Sequence, residues 1–152
     1  MSYSVDANVL LYASDRSSPL HEQASDFLSK RAADQETRFC LAWPTIMAYL
    51  RISTHPKIFE APLEPAEAEK NIDSLLRLPQ VELLSEDDRL WQTYQRMASE
   101  LPIRGNLVSD AHLAALLLHH GVKTLYTRDR DFLQFTFLEV LNPFATPVSP
   151  AA

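Results

Sequence analysis

Three aspartates stand where a short apolar run gives way to a polar turn or to the start of a helix. Asp6 follows residues 3–5, Asp129 follows residues 124–128, and Asp110 begins a long apolar stretch. If the chain folds as a parallel α/β sheet, Asp6 and Asp129 lie at the carboxyl ends of strands, where open α/β sheets place their sites. Carboxylates that converge repel one another unless a cation bridges them. Mg²⁺ and Mn²⁺ are the hard cations that prefer oxygen ligands, so the pattern favours a metal site.

Each aspartate also has a purely structural interpretation. Asp6 can cap a helix that begins after it, and Asp110 can interact with a helix dipole. Asp129 and Asp131 can form an Asx-type turn with surface ion pairs. The helix that follows Asp110 is apolar nearly all round, however, so it is expected to be buried, and a carboxylate in its first turn then needs a partner. This burial favours function over capping at Asp110.

Neighbouring polar residues supply candidate auxiliary contacts. Asn8 stands two residues after Asp6 and can orient that carboxylate or hold a water molecule. Thr127 and Asp131 flank Asp129 and can contribute to a metal and its waters. Each signal is weak alone, but together they predict one acidic site in a small α/β chain.

Composition limits the class of protein. The chain has 152 residues, 46% of them hydrophobic, which predicts one globular domain. Cys40 is its only cysteine, so an internal disulfide and a zinc site built on several cysteines are excluded. The net charge of −6 argues against binding nucleic acid by blanket neutralisation of phosphates, but not against a metal-dependent nuclease. No secretory signal or membrane span is expected, and the chain is predicted to be cytoplasmic.

Periodicity and breakers predict strands that alternate with helices. Helices are expected at residues 8–13, 21–33, 44–53, 66–77, 86–101 (capped by Ser85) and 106–120 (closed by Gly121). Strands are expected at residues 3–5, 38–42, 80–84, 123–127 and 138–141. This alternation predicts an α/β fold with a parallel sheet flanked by helices and right-handed crossovers.

Four segments, taken together, resemble the motifs of the PIN domain family. They read SVDANVLLYA at residues 4–13, WPTIMAYLRIST at 43–54, GNLVSDAHLAAL at 105–116 and TRDRDF at 127–132. The second is similar to a helix of one VapC toxin subgroup. The resemblance implies a three-layer α/β/α PIN-like domain with a parallel central sheet over residues 1–144. The position of residues 145–152 at the chain end predicts a loose tail.

The resemblance also implies a function and partners. It implies a Mg²⁺- or Mn²⁺-dependent endoribonuclease, the toxin half of a type II toxin–antitoxin pair, which cuts structured RNA such as transfer RNA or ribosomal RNA loops. A homodimer and a cognate VapB-like antitoxin are the implied assemblies. Asp6, Asp110 and Asp129 are then the expected catalytic residues and metal ligands, with Asn8, Thr127 and Asp131 as auxiliary residues.

The chain departs from the family pattern at Ala48. Many PIN domains carry a glutamate there, and no acid lies between Trp43 and Phe59. One alternative is therefore a catalytically weakened domain that binds RNA or a protein without cutting. A DNA-directed nuclease is another, because metal–carboxylate chemistry does not itself choose the sugar. A phosphoaspartate receiver ranks lowest, because Lys123 precedes its strand instead of following it.

Other polar and aromatic residues have less specific interpretations. Arg51, Arg104 and Arg128 are candidate contacts to RNA phosphate, although solvation at the surface is the default for each. For His112 we prefer a structural interpretation, either packed or exposed at the surface, over the role of a general base. The two tryptophans, Trp43 and Trp91, are predicted to be core residues.

Overall fold

The computed structural model describes residues 1–144; the predicted tail at 145–152 lies outside the described residues. Five parallel strands form one sheet in the order β3-β2-β1-β4-β5. They are β1 Ser2–Val5, β2 Arg38–Ala42, β3 Val81–Leu84, β4 Thr124–Tyr126 and β5 Glu139–Leu141. The predicted α/β class and all five predicted strands are confirmed, with ends that differ by at most one residue.

Six α-helices and one 3₁₀ helix complete the chain. They are α1 Ala7–Ser14, α2 His21–Ala33, α3 Trp43–Ser53, α4 Pro65–Leu76, α5 Leu90–Ala98 and α6 Leu107–His119, with the 3₁₀ helix at Arg130–Gln134. Pro44 and Pro65 sit in the first turns of α3 and α4, where a missing N–H costs nothing. No helix within residues 1–144 has the length and apolarity needed to cross a membrane.

The sheet separates two hydrophobic cores, which makes the fold three-layered. Alternate residues of β2 point to opposite faces, so Phe39 and Leu41 pack with α1 to α4, while Cys40 and Ala42 pack with α5, α6 and the 3₁₀ helix. All four side chains are almost completely buried. The predicted α/β/α architecture is therefore confirmed.

The switch in strand order positions the site. Starting from β1, the chain adds β2 and β3 on one side and β4 and β5 on the other, which leaves a crevice at the carboxyl ends of β1 and β4. Val5 pairs with Tyr126, so Asp6 and Thr127 are the next residues of two adjacent strands. Asp6 N–H donates to the Tyr126 carbonyl at 2.9 Å, which continues the ladder into the crevice.

The start of α5 differs from the prediction. The sequence predicts a helix over residues 86–101 capped by Ser85, but α5 spans Leu90–Ala98. The residues before it are engaged elsewhere: the Ser85 carbonyl accepts from His120, Glu86 pairs with His112, and Asp87 accepts from His119 at 2.9 Å. These long-range contacts hold residues 85–87 as a loop packed against α6.

Both tryptophans are exposed, so their predicted place in the core is wrong. Trp43 is 40% exposed at the start of α3, where its indole N–H donates to the Ser85 hydroxyl at 3.3 Å. Trp91 is 61% exposed, and its ring stacks on Tyr94 with 5.8 Å between ring centroids. The buried aromatic side chains of the two layers are phenylalanines and tyrosines, among them Phe39, Tyr49 and Phe132.

Candidate active site

Asp6 lies immediately after β1, with its backbone extended, and caps α1. Its carboxylate accepts three hydrogen bonds, from Ala7 N–H at 2.8 Å, from the Thr127 hydroxyl at 2.9 Å and from the Asn8 amide at 3.3 Å. Burial raises the pKa of Asp6, hydrogen bonds from Thr127 and Ala7 oppose that rise, and the charge of Asp129 adds to it. Asp6 therefore caps α1 with one carboxylate oxygen and faces the candidate site with the same side chain, so the two interpretations of this residue are compatible.

Thr127 connects the end of β4 to the end of β1. Its hydroxyl is buried, donates to Asp6, and accepts from Asp129 N–H at 3.0 Å and from the Asn8 amide at 3.1 Å. The Asn8 carbonyl oxygen accepts in turn from Arg128 N–H at 3.3 Å. Asn8 and Thr127, both predicted as auxiliary residues, thus hold the two strand ends together.

Asp129 opens the 3₁₀ helix as an Asx-type cap. Its carboxylate accepts from Asp131 N–H at 2.9 Å, as the structural interpretation of the sequence predicted. The same turn brings the side chain of Asp131 beside that of Asp129, across from Asp110 in the first turn of α6.

One carboxylate oxygen each from Asp110, Asp129 and Asp131 lies within 4.8 Å of the others. Asp6 is not a member of this triad, although its charge contributes to the local field. The pKa of Asp110 is raised to about 6, first by burial and then by the charges of Asp129, Asp6 and Asp131. A set of hard oxygen donors whose charges destabilise one another fits a divalent cation, and the set includes Asp131, which was predicted as an auxiliary residue.

A cavity of about 350 Å³ opens beside Asp110, between α3 and α6, and neither Asp129 nor Asp131 lines it. Asp6 and Asp110 line it together with Ala48 and Thr45 from α3. The position that carries an acid in many PIN domains therefore faces the cavity here with a methyl group. The remaining lining residues are Pro44, Met47, Arg51, Ser109, His112, Leu113 and Phe132.

The three candidate arginines lie at different places. Arg51 lines the cavity, whereas Arg128 donates to the Tyr12 hydroxyl at 3.1 Å and lies over its ring. Arg104 is exposed in the loop before α6 and does not line the cavity. His112 also lines the cavity and is partly exposed, as predicted. Its imidazole is hydrogen-bonded to the Glu86 carboxylate.

Sequence reasoning missed Thr45. It is 2% exposed and lines the cavity, and its hydroxyl has no hydrogen-bond partner among the described residues. Its only sequence signal is its position three residues before Ala48, which places both residues on one face of α3.

Comparison with known proteins gives the family. The profile of the PIN domain matches residues 3–138. Ribonuclease VapC48 of Mycobacterium tuberculosis is 39% identical over 145 residues, covering 95% of this chain and 99% of that protein. VapBC2 from Rickettsia felis, solved bound to a DNA fragment from its promoter, superposes with a TM-score of 0.64 at 17% identity, covering 92% of this chain and 97% of that one.

A second solved structure has the same fold. Mycobacterium tuberculosis VapC20, described as a Sarcin-Ricin loop cleaving toxin, superposes with a TM-score of 0.62 at 16% identity, covering 92% of this chain and 99% of that one. The profile match and the 39% identity to a VapC ribonuclease show that the chain belongs to the PIN domain family and, within it, to the VapC group.

Proposed function

We propose that this chain is a Mg²⁺- or Mn²⁺-dependent endoribonuclease, the toxin of a type II toxin–antitoxin pair. The observation that carries the proposal is the convergence of Asp110, Asp129 and Asp131 at the carboxyl edge of the sheet, with Asp6 beside them. The relatives named ribonucleases support the reaction class, since their resemblance extends over nearly the whole chain.

Each acidic residue has a distinct part in the proposed reaction. Asp110, Asp129 and Asp131 would hold the cation, and Asp6 would add charge and a further oxygen. When bound, a divalent cation supplies Lewis-acid activation of water and neutralises charge at the phosphate. The Thr127 hydroxyl and Asn8 amide keep the Asp6 carboxylate oriented toward the site, because both donate to it.

Arginine side chains would meet the RNA backbone. Arg51 is the strongest candidate, because it lines the same cavity as Asp6 and Asp110. Arg128 and Arg104 would act farther from the cavity, where they would contact flanking phosphates. A fold relative described as a Sarcin-Ricin loop cleaving toxin supports a structured RNA loop as the substrate class.

The proposed partners follow from the family and from charge. A VapB-like antitoxin and a second copy of the chain are the expected assemblies, and a VapBC complex is among the solved structures with this fold. An acidic pocket favours an inserted arginine or lysine from the antitoxin. The proposed place of action is the cytoplasm, where RNA and antitoxin are made.

Ala48 raises the alternative of a domain that binds without cutting. Its methyl group leaves the α3 wall of the cavity without a carboxylate. That alternative gains no support from the relatives, which are named ribonucleases. Incubating the protein with a total-RNA pool and Mn²⁺ separates the nuclease from the binding module, since a binding module leaves the RNA intact.

A DNA-directed nuclease is a separate alternative. Competition between RNA and DNA of one sequence tests it.

The decisive experiment compares Asp6→Asn and Asp110→Asn with Asp73→Asn. Asp73 is exposed on α4, away from the cavity, and serves as the matched control. We expect each site variant to lose cleavage by about 100-fold or more, the upper end of losses for residues that only support a metal site. EDTA should abolish wild-type cleavage. Wild-type rates in Asp6→Asn would remove Asp6 from the mechanism, and EDTA-resistant cleavage would end the metal proposal.

A further inference from the structure

Thr45 carries a buried hydroxyl that no described residue satisfies. The residue is 2% exposed, in the first turn of α3, and its Oγ1 has no hydrogen-bond partner in residues 1–144. Leaving a buried hydroxyl unpaired costs about 1–3 kcal/mol, so such a group in a native protein usually has a water molecule, an ion or a ligand as its partner. The side chain therefore calls for a partner that is not part of the protein.

The position of Thr45 indicates what that partner is. Four other residues in the described part of the chain have a buried unpaired polar side-chain atom, but none of them lines the cavity that Asp6 and Asp110 share. Thr45 and Ala48 are three residues apart on one face of α3, and both line that cavity. The hydroxyl is thus the polar group that α3 presents in the turn where many PIN domains present a carboxylate.

We propose that the Thr45 hydroxyl binds a water molecule in the hydration shell of the divalent cation held by the acidic cluster. The inference rests on the proposed metal-dependent function and deepens it. Mg²⁺ and Mn²⁺ keep several waters when few carboxylates ligate them, and those waters need acceptors and donors around them. A threonine hydroxyl can accept from such a water, so it is a neutral replacement for the carboxylate that Ala48 lacks. Thr45 is a positioning residue in this role, since it acts through the water.

The test is the affinity of the RNA-free protein for Mn²⁺, measured by electron paramagnetic resonance. Thr45→Val removes the hydroxyl and keeps the shape of the side chain. We expect its dissociation constant for Mn²⁺ to rise about ten-fold, within the 10–100-fold range for outer-shell partners of metal sites. Thr45→Ser keeps the hydroxyl and should stay within about two-fold of wild type, well below that range.

Stability without the cation separates this role from a structural one. If the hydroxyl has no protein partner, Thr45→Val in EDTA should unfold at the same temperature as wild type or a higher one, because an unpaired polar group has been removed. A lower unfolding temperature, or failure to fold, would mean that the hydroxyl bonds within the protein and would overturn the inference.

Reference variants distinguish this inference from the proposed function. Asp110→Asn should abolish Mn²⁺ binding, and Asp73→Asn should leave it unchanged. If wild type binds Mn²⁺, Asp110→Asn does not, and Thr45→Val matches wild type, the inference fails while the metal site stands. If Thr45→Val weakens only the binding of RNA, the hydroxyl meets phosphate instead of the cation's water, and the inference is again wrong. If wild type binds no Mn²⁺, both proposals fall.

Discussion

The surroundings of Asp110 disfavour the ionised form of its carboxyl group. Asp110 lies in the first turn of α6, where burial, and then the charges of Asp129, Asp6 and Asp131, raise its pKa to about 6. The helix dipole favours a negative charge at that position, but burial and three like charges outweigh it. A bound cation would offset the repulsion among these carboxylates, so the site is well suited to binding one.

The raised pKa of Asp110 predicts how stability depends on pH. The folded state holds this proton more tightly than the unfolded state does, so the free energy of unfolding should fall as pH rises from about 4 to about 6 and remain lower above that range. Asp110→Asn cannot ionise. In EDTA at about pH 7.5 it should be more stable than wild type by about 1 kcal/mol, after allowance for solvent screening. At about pH 4 the difference should vanish.

Urea unfolding of both proteins at the two pH values measures this effect, with Asp73→Asn as the control. With saturating Mn²⁺ at neutral pH, wild type should become more stable than Asp110→Asn. A ligand that binds only the folded state stabilises it by mass action, and the variant is expected not to bind Mn²⁺. An Asp110→Asn variant less stable than wild type in EDTA would show that the carboxylate is satisfied within the protein.

Helix α6 connects the acidic site to the packing of the whole layer. Residues 111 and 113–117 of this helix are buried, and it presents Asp110 from its first turn. Its carboxyl end closes in a Schellman motif: Val122 N–H donates to the Leu117 carbonyl at 2.9 Å, and Gly121 adopts a φ of 72°. The predicted closing role of Gly121 is therefore confirmed.

The left-handed conformation of Gly121 makes this end of α6 sensitive to substitution. Gly121→Ala should lower the free energy of unfolding by about 1–2 kcal/mol, because a Cβ atom is disfavoured at positive φ. Gly121→Asn is the matched variant and should lose less, since asparagine tolerates this conformation. Chemical denaturation measures both. Equal stability of Gly121→Ala and wild type would mean that the helix end rearranges at no cost.

The loop before α5 shows how tertiary contacts decide an element boundary. Residues 85–87 have the composition of a helix start, with a serine followed by acids. In the structure they contact three histidines of α6 and its carboxyl end, so α5 begins only at Leu90. Asp87 accepts from His119 and also from the Arg89 N–H at 2.8 Å, so it, and not Ser85, makes the local side-chain bond before α5.

At the scale of the whole molecule, an acidic protein is proposed to cut an acidic polymer. The net charge is −6, and four aspartates gather at one edge of the sheet. Long-range attraction therefore does not bring RNA to this surface, and local contacts at a cation and at arginines must do so. The same charge favours a basic segment of a protein partner.

Charge complementarity predicts how that partner behaves. A small DNA-binding protein encoded beside this chain should copurify with it and should inhibit cleavage when bound. Raising salt from about 0.1 M to about 1 M should weaken the complex, because the Debye length falls from about 10 Å to about 3 Å. Co-expression followed by light scattering at both salt concentrations measures this. Recovery of only the free chain at low salt would contradict the prediction.

The sequence by itself determined the order of elements and the edge at which the chemistry lies. Period-two and period-3.6 patterns are local, so they predicted the five strands and most of the helices. The carboxyl ends of parallel strands share one edge, which is why Asp6 and Asp129 were predicted to lie together from positions far apart in the chain.

Only the tertiary structure decided which side chains meet there. It placed Asp131 with Asp110 and Asp129, left Trp43 and Trp91 exposed, and put the unpaired Thr45 hydroxyl in the cavity wall. These outcomes depend on competition between distant partners for the same donors, acceptors and space. A local pattern does not contain that competition, because it exists only after the chain has closed on itself.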